Sequence, residues 1–325
     1  MKKIVITRFG GPEVLKVIEE KIPLVKGNEV LIKVEKTSVN YADIKKRTGR
    51  KGKSSFPMEL GLDAAGTIVE IGDSVKNLYI GQRVIAFPKY GSYAEFVVAN
   101  DTLSFPLPDD ISFETAAACP TVSFLSLKLL TDVARFQKDE TILVHAAAGG
   151  VGTTAIQLAK LMGAKTIIGT VSHKSKFQTV IEAGASHVML YNNFADNVNS
   201  ITNGRGVNVI LDAVAGKITE QSINCLAKFG RLVQFGNASG EIGFFNTEQL
   251  HTSCRSILGF SLGTTRNERP DLLADASLRI MDYLKENKLQ IMVGAEFPLE
   301  EAYKAHELIE SRRSIGKILL DVSKK

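Results

Sequence analysis

The chain has no tryptophan and only three cysteines and five histidines among its 325 residues. Cys119, Cys225 and Cys254 are widely spaced and odd in number, which excludes a disulfide framework and a Cys-rich zinc site. A reducing compartment is expected. No run of about 18 apolar residues occurs, the shortest that would span a bilayer. The opening Met1-Lys2-Lys3-Ile4-Val5-Ile6 breaks at Thr7, Arg8 and Gly10 before the apolar core of a signal peptide can form, so a cytoplasmic protein with no membrane partner is expected. Charge of one sign is also scarce. Forty Lys and Arg against 35 Asp and Glu leave a net +5, too little to imply general polyanion binding unless the cations cluster. Hydrophobic residues at 44% and charged residues at 23% exclude disordered, collagen-like and coiled-coil chains.

The length is about twice that of a typical domain, and the texture changes along it. Up to about residue 115, short β-type runs at 4–6, 30–34, 65–71, 83–87 and 94–98 lie between Gly, Pro, Asn and Asp signals, which suggests an antiparallel barrel or sandwich. An alanine-rich helical stretch begins near Ala116. From Thr141 onward, apolar runs at 141–145, 165–171, 187–190, 207–212 and 231–235 are separated by segments long enough for crossover helices, with 257–260 as a candidate sixth strand. That rhythm predicts a parallel sheet with helices on both faces. Helices are expected at 272–284 and 299–311, and a closing strand at 317–322.

The most informative segment runs Thr141-Ile-Leu-Val-His145-Ala-Ala-Ala-Gly149-Gly150-Val151-Gly152 and continues as a helical pattern to Lys160. A buried strand, a glycine-rich turn and a helix in that order make a phosphate site. Gly149 lets the backbone approach a pyrophosphate, Gly152 lets the helix pack on the strand, and the free amides at the helix start attract phosphate oxygens. Ala147 stands where the usual pattern has its first glycine. The bland alternative is a tight turn with no ligand, but placement as the first of five or six strand and helix units favours a dinucleotide. NAD-selective folds carry an acidic residue about 20 residues further on. Here the second strand ends in Ser172-His173-Lys174-Ser175-Lys176, hydroxyls and cations suited to a 2′-phosphate, unless Ser172 only caps a helix and the lysines are solvated.

The segment Asp139-Glu140, Leu143, Ala147 to Gly150, Gly152, Gln157 and Lys160 resembles the signature of the quinone oxidoreductase and zeta-crystallin branch of the medium-chain dehydrogenase/reductase superfamily. Similarity extends over Phe9 to Leu15, Val39 to Asp43, Gly61 to Gly66 and Glu310 to Arg312. The resemblance implies an α/β protein with a GroES-like β-rich substrate domain made from residues 1–118 and 263–325. Between them, residues 119–262 would form a Rossmann domain with a doubly wound parallel sheet that binds NADPH. A homodimer is usual. By matching position, Lys176, Tyr191 and Arg312 would hold the 2′-phosphate and adenosine ribose, and Gly236 and Asn237 would lie near the nicotinamide. Zinc-dependent members carry a Cys near Asn40, Gly-His-Glu where this chain has Gly61-Leu62-Asp63, and often a Cys at about Thr121. All three ligands are lost, so no metal is expected.

Without a metal or an acid-base pair, catalysis must rest on placing the acceptor against the nicotinamide, which favours quinones and activated alkenes. Asn40 is the candidate for orienting a carbonyl or the nicotinamide ribose, or else caps a turn. Tyr41 lines the pocket or packs inward. Tyrosines that wall the pocket in the resembled reductases are Lys45 and Lys51 here, and a threonine near the nicotinamide is Leu125. The run from Lys45 to Lys53 has six cations in nine residues. It reads as a solvated loop, or as a recruiter of an anionic substrate or RNA. Three functions stay open: an NADPH-dependent quinone reductase, a reductase of enones or enoyl thioesters, and an NADPH-binding structural or RNA-binding protein with little turnover.

Overall fold

The computed structural model describes residues 1–51 and 55–324. Gly52 and Lys53, at the end of the basic run, lie outside them. The chain divides into two compact units, Met1–Phe124 with Gly263–Lys325, and Leu125–Leu262.

In the second unit, strands Thr141–Val144, Thr166–Val171, His187–Leu190, Val207–Asp212, Leu226–Gln234 and Ser256–Gly259 form one parallel sheet. Numbered along the chain, their spatial order is third, second, first, fourth, fifth, sixth. Direction reverses beside the first strand, so a crevice opens between the carboxyl ends of the first and fourth strands, where sheets of this order bind ligands. The strands are parallel because they bury both faces: Ile142, Leu143, Val144, Ile168, Val209, Ile210, Leu211, Leu232 and Val233 are all buried. The fifth strand starts earlier than its apolar run suggests. It passes through Phe229 in a left-handed conformation, and the pairing shifts register between Val207 and Val209.

The first unit is mostly antiparallel. Its seven-stranded sheet is built around Glu29–Val39, which pairs with Lys317–Asp321, Ala64–Ile71 and Phe96–Asn100. Three departures from expectation occur here. Strand Val293–Pro298 pairs parallel with Lys317–Asp321, although Gly294 and Pro298 disguise it in the sequence. The helix expected at 272–284 opens as a tighter turn, Pro270–Leu273, before Ala274–Lys285. Finally, the basic run is not one solvated loop. Tyr41–Arg47 is a helix that starts at Asn40, whose backbone N–H donates to the Asp43 carboxylate at 2.8 Å. Arg47 is fully buried and ion-paired to Glu310 at 2.5 Å, and Lys46 Nζ donates to the Glu59 carbonyl at 2.8 Å.

Candidate functional site

The glycine turn of the second unit follows the first strand directly. Ala146 adopts a left-handed conformation with φ of 51°, and the Ala147 N–H donates to the Thr170 carbonyl of the second strand at 3.0 Å. Gly149 precedes the helix Gly150–Leu161, whose first turn holds no acidic residue, so the positive end of its dipole is uncompensated. The two glycines serve different ends. A Cβ on Gly152 would lie 2.6 Å from the Ala146 carbonyl oxygen, so helix packing demands glycine there. A Cβ on Gly149 would meet nothing nearer than that oxygen at 3.4 Å, an ordinary contact. The protein's own packing does not require Gly149; a phosphate drawn against the backbone would. Ala147 is accommodated by Gly169 across from it, where a Cβ would come within 2.9 Å of the Ala147 methyl.

Past the second strand, Ser172 is exposed and His173, not Ser172, caps the short helical turn Lys174–Lys176 by accepting from the Ser175 N–H at 3.1 Å. Lys176 is half-buried, and that burial lowers its pKa. The Tyr191 hydroxyl accepts from the Ala146 N–H at 2.9 Å. Gly236 lies against the Ala213 carbonyl, where a Cβ would sit at 2.7 Å, and Asn237 Oδ1 accepts from the Gly240 N–H at 2.7 Å. Arg312 belongs to the first unit, exposed at the left-handed turn after helix Ala302–Glu310. Sequence reasoning missed Asp212. It ends the fourth strand fully buried and accepts from the N–H groups of Val214 and Ala215 and from the Thr219 hydroxyl. An Asp closing a buried run was the available signal.

The first unit carries a buried polar cluster. Asn40 Oδ1 accepts from Lys317 Nζ at 2.7 Å, and its Nδ2 donates to Asp63 at 3.2 Å. Asp63 also accepts from the Ser38 hydroxyl at 2.5 Å and the Thr121 N–H at 3.0 Å. Asp43 accepts from Gly61 N–H at 3.0 Å and Tyr93 Oη at 3.1 Å, and Tyr93 Oη lies 3.2 Å from His306 Nε2. Burial pushes the Asp43 carboxyl up to about 6, against the hydrogen bonds that its backbone donors supply. Burial likewise lowers the Lys317 pKa, opposed by Asp63 and Asp43. Tyr41 is partly exposed and Leu125 is buried. Beside the cluster lies a cleft of about 560 Å³, lined by Met58, Leu62, Phe87, Lys89, Tyr90 and Arg266 among others. The Arg266 guanidinium sits 4.8 Å from the Phe87 ring centre and donates to the Leu62 carbonyl at 2.9 Å.

These residues do not suit zinc. Leu62 has no ligating atom, and the Asn40 amide is committed to Lys317 and Asp63. The Cys119 thiol is pushed up to about 12 by burial. Among the described residues no group of three or more His, Cys, Asp and Glu could hold a metal ion.

Comparison with known proteins agrees with the two folds. The alcohol dehydrogenase GroES-like domain family matches residues 26–109, and the zinc-binding dehydrogenase family matches residues 150–277. A quinone oxidoreductase of Salmonella typhimurium is 34% identical, covering 98% of this chain and 98% of its own length. The chain belongs to the quinone oxidoreductase branch of the medium-chain dehydrogenase/reductase superfamily. Two solved structures extend the likeness from sequence to backbone. The Escherichia coli quinone oxidoreductase complexed with NADPH is 32% identical with a TM-score of 0.90, covering 99% of this chain and 100% of that one. A mycobacterial protein complexed with NADPH is 30% identical with a TM-score of 0.92, covering 98% and 99%. As a member of this branch the protein is an oxidoreductase with a GroES-like and a Rossmann fold. The zinc in the name of one matching family brings no ligand set with it. No helix among the described residues is long and apolar enough to cross a membrane.

Proposed function

We propose that this quinone oxidoreductase relative is an NADPH-dependent reductase that passes hydride to a quinone or similar conjugated carbonyl without zinc. The observation that carries the reading is the turn itself. Gly149 leaves the backbone open at an uncompensated helix start, and the neighbouring strand ends in Ser172 and Lys176 with no carboxylate. Backbone at Ala147, Gly149, Gly150, Val151 and Gly152 would hold the pyrophosphate, Ser172 and Lys176 the 2′-phosphate, and Gly236 and Asn237 the nicotinamide end. When bound, NADPH supplies the hydride. Conjugated acceptors take it without a Lewis acid, since charge is delocalised as the bond forms. Asn40 and Tyr41 are proposed to face the acceptor, with Lys317 fixing the Asn40 carbonyl.

A second reading, a reductase of anionic enoyl thioesters, is favoured by one feature. Among the described residues the cleft of the first unit is lined by Lys46, Lys89 and Arg266 against one carboxylate, Glu59; Glu59 is ion-paired to Lys3, and Lys89 to Glu29 outside the lining. An RNA-binding role draws less support, because Arg47 is buried and Lys46 is tied to Glu59. We further propose a cytoplasmic homodimer. The sixth strand lies at the edge of the parallel sheet, and Ile242 and Phe244 are exposed in the segment before it, as pairing between copies would use. NADPH oxidation against a panel of neutral quinones, enals and enoyl thioesters tests the function. Turnover confined to thioesters would replace the first reading with the second. NADPH binding without turnover of any acceptor would refute both.

A further inference from the structure

The turn is anchored from below by a chain of hydrogen bonds that no part of the sequence pattern announces. His145 ends the buried run of the first strand and is itself buried. Each ring nitrogen meets one hydroxyl: Nδ1 lies 2.7 Å from Thr170 Oγ1, and Nε2 lies 2.9 Å from Ser222 Oγ. The protons in this chain can be assigned. The Ser222 hydroxyl donates to the Ile218 carbonyl at 2.6 Å, so its oxygen is left to accept from Nε2–H. His145 Nδ1 is then an acceptor, and its donor is Thr170. The ring so held stacks on Tyr191. The Tyr191 oxygen accepts from the Ala146 N–H at 2.9 Å. Donation therefore runs one way from Thr170 through His145 and Ser222 to Ile218, and the ring it fixes stacks on Tyr191, which takes the Ala146 N–H.

Tyr191 thus meets the residue that needs holding. Ala146 sits in a conformation that only glycine adopts freely, and its carbonyl accepts the Gly149 N–H at 3.0 Å, so its peptide sets the turn that follows. The rings are locked as well. His145 stacks on Tyr191 with ring centres 5.9 Å apart and meets Phe194 edge-on at 5.0 Å. Burial keeps the imidazole neutral, with a pKa of about 4 although Asp212 pulls the other way, and a neutral ring is what this pattern of donors and acceptors requires.

We propose that His145, Thr170 and Tyr191 form a positioning device for NADPH, fixing the Ala146 peptide and so the shape of the turn that receives the pyrophosphate. This rests on the reading that the turn binds the cofactor. Tyr191 acts here through the turn, by accepting from the Ala146 N–H.

Thr170→Val removes the donating hydroxyl at nearly constant volume, and Thr170→Ser keeps it. NADPH affinity is measured by titration of nicotinamide fluorescence, together with kcat at saturating cofactor and amide exchange at Ala146. Thr170→Val is expected to weaken NADPH binding about tenfold and to speed Ala146 exchange, with kcat within about twofold of wild type, a loss of binding rather than of chemistry. Thr170→Ser, which retains the hydroxyl that fixes the ring, should stay near wild type, while His145→Phe, which keeps a ring but loses both hydrogen bonds, should follow Thr170→Val. Val209→Ala, a core change in the same sheet, controls for destabilisation. The proposal is overturned if Thr170→Val binds NADPH as wild type does, or if Val209→Ala weakens binding equally at matched melting temperature. Should Thr170→Val fail to fold, Ala146 amide exchange in Tyr191→Phe without cofactor tests the same link, and exchange as slow as in the wild type overturns the proposal. A wild-type protein that binds no NADPH would remove the reading beneath the proposal and the proposal with it.

Discussion

The two units hold their polar interiors in opposite ways. Around the glycine turn of the second unit neutral groups hold one another, from Thr170 through His145 and Ser222 to Ile218, and the buried carboxylate of Asp212 is met by two backbone N–H groups and the Thr219 hydroxyl. In the first unit the interior is charged. Asp43, Asp63, Arg47 and Lys317 are all buried, and Arg47 Nε and Nη1, Thr121 Oγ1, Arg266 Nε and His306 Nδ1 have no hydrogen-bond partner among the described residues. A neutral chain of bonds gives one fixed shape at modest cost. Buried charges hold firmly only while each is balanced, and they leave groups over for a ligand or water to satisfy. The contrast suits the proposed division of labour, with one unit gripping a constant cofactor and the other meeting a variable acceptor.

The largest effect should come from unbalancing the charged interior. Lys317→Met leaves Asp63 and Asp43 without their shared cation and is expected to destabilise the fold by about 3 kcal/mol or more, read from urea unfolding. A loss under about 1 kcal/mol would mean that the cluster is not electrostatically held and the contrast is false.

Acid should separate the units next. His145 has a pKa of about 4 when folded against 6.5 in the unfolded chain, because burial disfavours its charged form. Between those values the unfolded state binds more protons, so stability falls as pH falls, by about 1.4 kcal/mol per unit and about 2 kcal/mol at pH 5. In the first unit His306, lowered to about 3 by burial and Arg47, acts in the same direction. Asp43 opposes it: raised by burial to about 6 from 3.8, it binds its proton more tightly when folded, so stability there rises as pH falls. Hydrogen exchange, corrected for intrinsic rates, should show the second unit opening between pH 6 and 5 while the first changes little. Equal loss in both would break the comparison.

At the cofactor end, NADPH should bind at least tenfold more tightly than NADH, worth about 1.4 kcal/mol, and Lys176→Glu should reverse that order. Equal titration by both cofactors would end the 2′-phosphate reading. The smallest effect is expected for neutral acceptors when Lys45, Arg50 and Lys51 are neutralised together: kcat/KM for a small quinone within about twofold, or about 0.4 kcal/mol, with a larger loss for an anionic thioester. Matching losses for both acceptors would point to a structural change in the cleft.

What could be read from the sequence follows the same division. The parallel sheet and its turn were legible because backbone makes them, and backbone demands leave local marks: runs such as Ile142 to Val144, then glycine at Gly149 and Gly152. The first unit's cluster was not, because side chains far apart in sequence make it. Lys317 reads only as the start of a strand, and nothing near it announces Asn40. Arg47 looked like one more solvated cation because its partner, Glu310, lies in the last helix. One local mark was overlooked. Asn40 and Asp43, three residues apart before Ile44, form a helix start, so the basic run had to begin on a helix. His145 and His306 were passed over for lack of paired spacing, a test suited to metal ligands, whereas their partners are hydroxyls and a phenol.

Strand Glu29–Val39 takes Lys317–Asp321 as its neighbour, with Lys36 ion-paired to Asp321 at 2.6 Å. On the ribosome that neighbour emerges only after Leu125–Leu262 is available in full. The second unit can therefore complete its sheet during synthesis. The first must wait, holding the long strand's edge unpaired through the translation of everything between, and an edge left open in that way is a template for pairing with another chain.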